Sequence, residues 1–179
     1  MTSSTGLTAT PSRTTIDWDL SQSNQVSRVS WPSDNDSGLY HIQNPDIVNI
    51  DLPDENVIKD FDSRHFYVSR DPIYTDQIIG VEAQSYPLTS DEAYQQFGDL
   101  LKKYDLERNE SLETWYEIAQ KYESDPEANG QSYFDAKFGA RKKMGANDLA
   151  PTLTVGLLRS FDQEKPWIIK LEASWPIKE

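Results

Sequence analysis

The side chains of this sequence that could do chemistry are two histidines and a large excess of carboxylates. His41 and His65 are the only histidines in the chain, and they lack the His-x-x-x-His spacing that puts two zinc ligands on one helix face. Because the chain has no cysteine, thiolate nucleophiles and cysteine metal sites are excluded. We therefore expect no catalytic residues, no metal and no cofactor.

The glycine-based motifs of catalysis and nucleotide binding are also missing from the sequence. The sequence contains no Gly-x-Ser-x-Gly elbow, no Gly-x-Gly-x-x-Gly fingerprint and no phosphate-loop Gly-Lys-Ser/Thr. Residues 34–38 resemble the start of a calcium loop, but Leu39 stands where the loop needs glycine and Pro45 where it needs glutamate. This segment is therefore interpreted as an Asp/Asn/Gly turn, with a weak calcium loop as the alternative.

Acidic residues outnumber basic ones by 30 to 17, which gives a net charge of -13 and a pI near 4.5. A nucleic-acid partner is not expected, because binding to phosphates needs a basic surface. Ten of the acidic residues stand between positions 17 and 62, against only Arg28 and Lys59. Such a concentration favours association with a positively charged partner, and a solvated surface that maintains solubility is the alternative.

Aromatic residues are interleaved with this acidic block. Aromatic side chains supply much of the buried contact at protein interfaces, although packing in the core is an equally ordinary role for them. We therefore predict a contact surface for a basic protein within residues 31–62. Its predicted partner-binding residues are Trp31, Asp34, Asp36, Tyr40, Asp46, Asp51, Asp54, Glu55, Asp60, Phe61 and Asp62.

The domain organisation follows from length and composition. The 179 residues, 36% of them hydrophobic, fit one domain, and no apolar run approaches the roughly 20 residues of a membrane span. Residues 1–16 hold nine serines and threonines, which predicts a flexible, disordered tail before a single domain at 17–179. The tail has no signal peptide but is typical of an exported protein whose signal has been removed, so we expect a periplasmic location, with the cytoplasm as the alternative.

Short apolar or alternating stretches bounded by turn formers predict strands. They cover residues 26–31, 39–42, 47–52, 66–68 and 77–86. Two more alternating runs, at 152–160 and 167–175, predict a hairpin at the end of the chain.

Helices are predicted between these two groups of strands. Thr89 and Glu92 form a capping box that starts a helix ending near Tyr104, and a second helix covers about 111–122. A third is predicted at 132–144, where three basic residues, Arg141, Lys142 and Lys143, suit the negative end of a helix dipole. This order predicts an α+β fold: an antiparallel sheet with two or three helices packed on one face.

The layout of residues 77–175, behind a Ser/Thr-rich tether, resembles that of the small acidic immunity proteins of bacterial type VI and contact-dependent toxin systems. The resemblance rests on the strand before the capped helix at 89–104, the further helix and the terminal hairpin with its tryptophans. It implies a non-enzymatic protein that neutralises a cognate toxin by placing acidic and aromatic side chains in the toxin's basic catalytic cleft.

Three other functions stay open. An acidic protein can imitate DNA on a DNA-binding partner, or serve as a structural component of a phage or of the cell envelope. A hydrolase with two facing carboxylates is the third, because 30 acidic residues allow many pairs that the sequence alone cannot resolve.

Overall fold

The computed structural model describes residues 13–59, 61–108, 112–124, 140–160, 162 and 164–177. Within them the chain forms two sheets and two helices, which confirms the α+β class. The strands are β1 (Ile16–Asp19), β2 (Leu39–Gln43), β3 (Val48–Asp51), β4 (Val57–Lys59), β5 (Ser63–Arg70), β6 (Ile78–Ser85), β7 (Glu107–Arg108), β8 (Ala140–Lys143), β9 (Thr152–Arg159) and β10 (Trp167–Ser174). The helices are α1 (Ser90–Tyr104) and α2 (Leu112–Ser124), and a short 3-10 turn covers Val26–Arg28.

The larger sheet has the strand order β2-β5-β6-β10-β9-β8-β7, and all its neighbouring strands are antiparallel. Strand β10 alternates strictly between buried and partly exposed residues, and β6 does so from Val81 to Ser85. Since side chains point to opposite faces in turn along a strand, this alternation assigns one face of the sheet to the core and leaves the other face polar.

A smaller sheet of order β1-β3-β4 forms the second layer. Strand β1 is parallel to β3, and β3 and β4 form an antiparallel hairpin. Edge-to-face contact of Trp18 in β1 with Phe66 in β5, with ring centroids 5.5 Å apart, connects the two sheets.

Helix α1 begins at the predicted capping box. The Thr89 hydroxyl accepts a hydrogen bond from the amide of Glu92, and the Glu92 carboxylate accepts one from the amide of Thr89. At the other end of α1, the Tyr104 hydroxyl donates a hydrogen bond of 2.9 Å to the carbonyl of Val57 in β4. Burial raises the pKa of Tyr104 to about 12. Helix α1 is thus tied to the smaller sheet.

Helix α2 contacts the larger sheet through one pair of indoles. Trp115 of α2 and Trp167 of β10 are both completely buried, with ring centroids 5.2 Å apart and planes at 72°. Edge-to-face pairs of this kind add to the free energy gained from burying the rings. No helix of the described residues is long and apolar enough to span a membrane.

Most predicted elements are confirmed, namely the strands at 39–42, 47–52, 66–68 and 77–86, the first two helices and the terminal hairpin. The strand predicted at 26–31 is wrong, because its first residues form the 3-10 turn. Ile16, assigned to the flexible tail, is instead the completely buried first residue of β1. Residues 1–12 of that tail lie outside the described residues.

The third predicted helix is wrong over its last turn. Residues 140–143 are strand β8, paired with β9, while 132–139 lie outside the described residues. The buried residues here are Ala140 and Met144, whose spacing of four fits a helix and a strand equally well. The basic residues are therefore not at a helix end: Lys142 pairs with Asp105 at 3.6 Å and Lys143 with Asp148 at 3.9 Å.

The capping box gives the first prediction. Replacing Thr89 by alanine removes the acceptor for the Glu92 amide and is expected to lower the free energy of unfolding by about 1 kcal/mol, or the melting temperature by roughly 2–4 °C. Thermal denaturation followed by circular dichroism measures it. The matched control is Gln96→Ala, an exposed position on the same helix, which should not destabilise the fold. Equal melting temperatures for the two variants would contradict the capping role.

Candidate functional site

Five carboxylates of the first acidic block stand on the smaller sheet or in the turn that follows its strand β3. In the parallel β1–β3 register, Asp19 stands beside Asp51, and Asp17 lies on the same outer face, opposite Asn49. The buried residues of these strands alternate with them, so all three aspartates are exposed. The turn after β3 adds two further acidic residues. We call this group the acidic face: Asp17, Asp19, Asp51, Asp54 and Glu55.

Two basic residues stand near the acidic face: Arg28, whose charge acts on Asp19, and Lys59 of β4, which is in the same row as Asp17 and Asn49. Within the described residues no basic side chain lies within 4.0 Å of any of its carboxylates. Asp19 accepts hydrogen bonds from the amide and hydroxyl of Ser21, and these bonds hold its pKa below the usual value. Like charges facing each other across strands destabilise a sheet, so this arrangement weakens the fold and leaves its charge available to a partner.

Two members of the acidic face have unusual backbone conformations. Asp54 and Glu55 have φ values of 58° and 60°, in the left-handed region that side chains other than glycine rarely adopt. Aspartate tolerates this region better than glutamate does. The turn therefore presents two adjacent carboxylates at a cost in conformational energy.

Other predicted site residues form a separate group at the start of β2. Trp31 packs edge-to-face on Tyr40 at 6.1 Å, and the Arg70 guanidinium lies 4.8 Å from the Trp31 ring centroid. Arg70 also donates a hydrogen bond to the carbonyl of Asp36. Asp34 and Asp36 are exposed here, whereas both aromatic rings are half-buried against the core.

The remaining predicted site residues are dispersed. Asp46, in the loop after β2, and Asp62, just before β5, are both exposed. Phe61 packs partly buried against the core, and Asp60 lies outside the described residues. The structure thus gathers Asp51, Asp54 and Glu55, and it does not bring all the predicted residues onto one surface.

A second candidate surface, missed in the sequence, is the polar side of the larger sheet. Four side chains stand in one row across β2, β5, β6 and β10, because each is the register partner of the next. We call this row and its neighbours the polar face. The row is His41, Tyr67, Glu82 and Glu172.

A hollow of about 270 Å³ opens on the polar face, lined in part by Leu39, Tyr67, Glu82 and Glu172. The two glutamates share it as direct cross-strand partners. Burial, with the nearby Glu172 carboxylate, raises the pKa of Glu82, although the amide of Gln84 donates to its carboxylate at 2.7 Å.

One lysine and one hydroxyl group stabilise Glu172. Lys170 lies 3.6 Å from the Glu172 carboxylate, and the Ser174 hydroxyl donates to it at 2.6 Å. The two carboxylates therefore have different neighbours: Lys170 and Ser174 beside Glu172, and Gln84 beside Glu82. When two carboxyl groups are neighbours, ionisation of one makes ionisation of the other less favourable.

The two histidines meet on the same face. Nε2 of His41 and Nδ1 of His65 are 3.0 Å apart, and the Tyr67 ring stacks on His41 with centroids 4.4 Å apart. Burial, together with the charges of His41 and Arg64, lowers the pKa of His65. Its neutral form is thus favoured at physiological pH.

Alternation could have shown that Glu82 and Glu172 point away from the core, since both stand at polar positions of predicted strands. Their pairing depends on the register between β6 and β10, which are 90 residues apart in sequence and leave no local signal. No group of three or more His, Asp or Glu able to hold a metal ion occurs among the residues that the structure describes.

Comparison with known proteins does not assign the chain to a family. No family model matches the chain, and no curated protein or solved structure is significantly similar to it. The function is therefore argued from the two surfaces alone.

The glutamate pair predicts a pH-dependent stability. The fold raises the pKa of Glu82, so the folded protein binds more protons than the unfolded chain at pH values just above the ordinary glutamate pKa. The free energy of unfolding therefore falls as the pH rises through that window. We expect Glu82→Gln to melt at a higher temperature than the wild type at pH 7, with the difference vanishing below about pH 4. The control Glu117→Gln, at an exposed position of α2, should show no such gain, and a pH-independent difference for Glu82→Gln would contradict the assignment.

The left-handed turn gives a further prediction. Glycine adopts positive φ without a steric penalty, so Glu55→Gly is expected to raise the free energy of unfolding by about 0.5–1 kcal/mol, measured by urea denaturation. Glu117→Gly, at an exposed position in the middle of α2, serves as the comparison and should lose about 1 kcal/mol. A destabilised Glu55→Gly variant would show that the glutamate side chain itself supports the turn.

Proposed function

We propose that this protein is a non-enzymatic binding protein, and specifically an immunity protein that neutralises a cognate bacterial toxin by covering the toxin's basic catalytic cleft. The observation that supports this proposal is the acidic face, whose exposed carboxylates form no salt bridge among the described residues. The toxin would supply the missing positive charges.

The energetics of such an encounter follow from the arrangement. A concentrated negative surface accelerates association with a basic partner by about 10–1000-fold and disfavours acidic competitors. The strained turn at Asp54 and Glu55 supports a functional role as well, because glycine would serve the fold better at Glu55.

The aromatic contribution to the proposed interface is smaller than the acidic one. Trp31, Tyr40 and Phe61 all pack partly against the core, so only their exposed edges are available to a partner. The second group, with Asp34 and Asp36 beside Trp31, would extend the contact for a partner large enough to reach it. We assign the first role in binding to the acidic face.

The test uses the product of the gene next to this one in the source genome, produced in a host with and without this chain. We expect that product to arrest growth and wild-type protein to restore it. The acidic-face variant, with Asp17, Asp19 and Asp51 all changed to asparagine, should associate about 10-fold or more slowly and protect poorly. Surface plasmon resonance at several salt concentrations measures the rates, which should fall as salt rises.

The matched control carries the same change in charge elsewhere. Asp99→Asn, Glu117→Gln and Glu164→Gln alter three exposed carboxylates outside the acidic face and should retain protection. Equal binding by both triple variants, or binding insensitive to salt, would refute the proposed interface. Competition by duplex DNA for the same partner would identify the protein as a DNA mimic instead.

A hydrolase is the second candidate, and the glutamate pair in the hollow is the observation that favours it. Glu82 and Glu172 are direct cross-strand partners that line the same hollow, so a shared-proton pair of the aspartic-protease kind is the analogy. Hydrolysis of a peptide library that Glu82→Gln and Glu172→Gln each abolish would establish it. If the wild type hydrolyses no peptide, the hydrolase proposal is refuted and the binding function remains.

We also propose the periplasm as the place of action, with the cytoplasm as the alternative. Fractionation of source cells, followed by detection with an antibody against this chain, distinguishes the two.

A further inference from the structure

The histidine pair on the polar face has the geometry of a chelating site. His41 of β2 and His65 of β5 are diagonal neighbours, because His41 is the register partner of Tyr67 and His65 that of Gln43. Their facing nitrogens, Nε2 and Nδ1, are 3.0 Å apart. In the metal-free protein one ring donates its N–H to the other.

We propose that these two nitrogens bind a divalent transition-metal ion of the class that imidazole prefers: Cu²⁺, Ni²⁺ or Zn²⁺. Metal–nitrogen bonds of about 2.0–2.1 Å meeting at 90–109° hold two ligand nitrogens roughly 2.9–3.4 Å apart. The observed separation of 3.0 Å lies within this range, so an ion can bind with little movement of the strands.

The surroundings hold the two rings in place. Tyr67 stacks on His41 at an interplanar angle of 12°, and the two histidine ring centroids are 5.1 Å apart. His41 is exposed, which gives an ion access, whereas His65 is half-buried. A site fixed on two adjacent strands loses less side-chain freedom on binding than one built on a loop.

Binding needs a change of tautomer and a rotation of the two rings that turns both lone pairs toward the ion. Both facing nitrogens must offer a lone pair to the ion, so the ring that donated its N–H moves that proton to its other nitrogen.

The nearest charge outside the pair opposes binding. Arg64, next to His65 in β5, disfavours a cation. Tyr67 itself contacts both rings. The described residues offer no third histidine or carboxylate in the cluster, so water or a partner's donor atom completes the coordination. This site does not involve the acidic face and stands independently of the proposed toxin binding.

The test is isothermal titration of the full chain, free of any polyhistidine tag, with CuCl₂, NiCl₂ and ZnCl₂ in turn at pH 7.4. We expect one ion per chain for at least one of the metals. His41→Ala and His65→Gln should each weaken that binding at least 10-fold. Loss of a residue that only supports a metal ligand lowers metal affinity by roughly 10–100-fold, and loss of the ligand itself should lower it at least as much. Lowering the pH to 5.5 should weaken it too, because protons compete for the same lone pairs.

The control is Gln43→Ala, an exposed position on the same face of β2, which should bind as the wild type does. Circular dichroism shows whether each variant is folded, and for Cu²⁺ the nitrogen hyperfine pattern in electron paramagnetic resonance should indicate two imidazoles. Binding retained by both histidine variants would place the ion on the carboxylates and overturn the proposal. So would the absence of binding to all three metals by folded wild-type protein.

Discussion

Burial of one face of the larger sheet is the constraint on which the rest of the structure depends. Strands β6 and β10 at its centre place every second side chain in the core, including the completely buried Trp167, Ile169 and Leu171. Trp18 of the smaller sheet contacts this face at β5, and Trp115 of α2 contacts it at β10. The same alternation directs the intervening residues outward, so the polar face with its glutamates and histidines is a direct consequence of how the core is built.

Electrostatic repulsion opposes this stabilisation. A net charge of -13 on a domain of this size disfavours the compact state, and the structure shows two places where the cost is concentrated. One is the acidic face, where Asp19 and Asp51 are register partners, and the other is the glutamate pair in the hollow. Neither arrangement is needed to bury the core. Both are therefore better explained by function than by folding.

Local signals predicted a large part of the fold. The capping box at Thr89 and the alternation of 77–86 depend on neighbouring residues, and both elements are confirmed. The prediction failed at 140–144, where two buried residues spaced by four satisfy either period, and pairing with β9 decides in favour of a strand. The candidate sites were harder to predict, because Asp19 with Asp51 and Glu82 with Glu172 become neighbours only through the register of distant strands. The excess of negative charge before residue 63 was visible in the sequence, but its division among the acidic face, the group around Trp31 and dispersed positions was not.

The indole pair at the contact between α2 and β10 has an optical consequence. Trp115 and Trp167 lie close together at a fixed, nearly perpendicular angle, so their ultraviolet transitions couple and give a circular-dichroism band that neither ring would give alone. Because one ring belongs to a helix and the other to a strand, that band exists only while the two are docked. The chain thus contains its own spectroscopic marker for the joining of its helical and sheet layers.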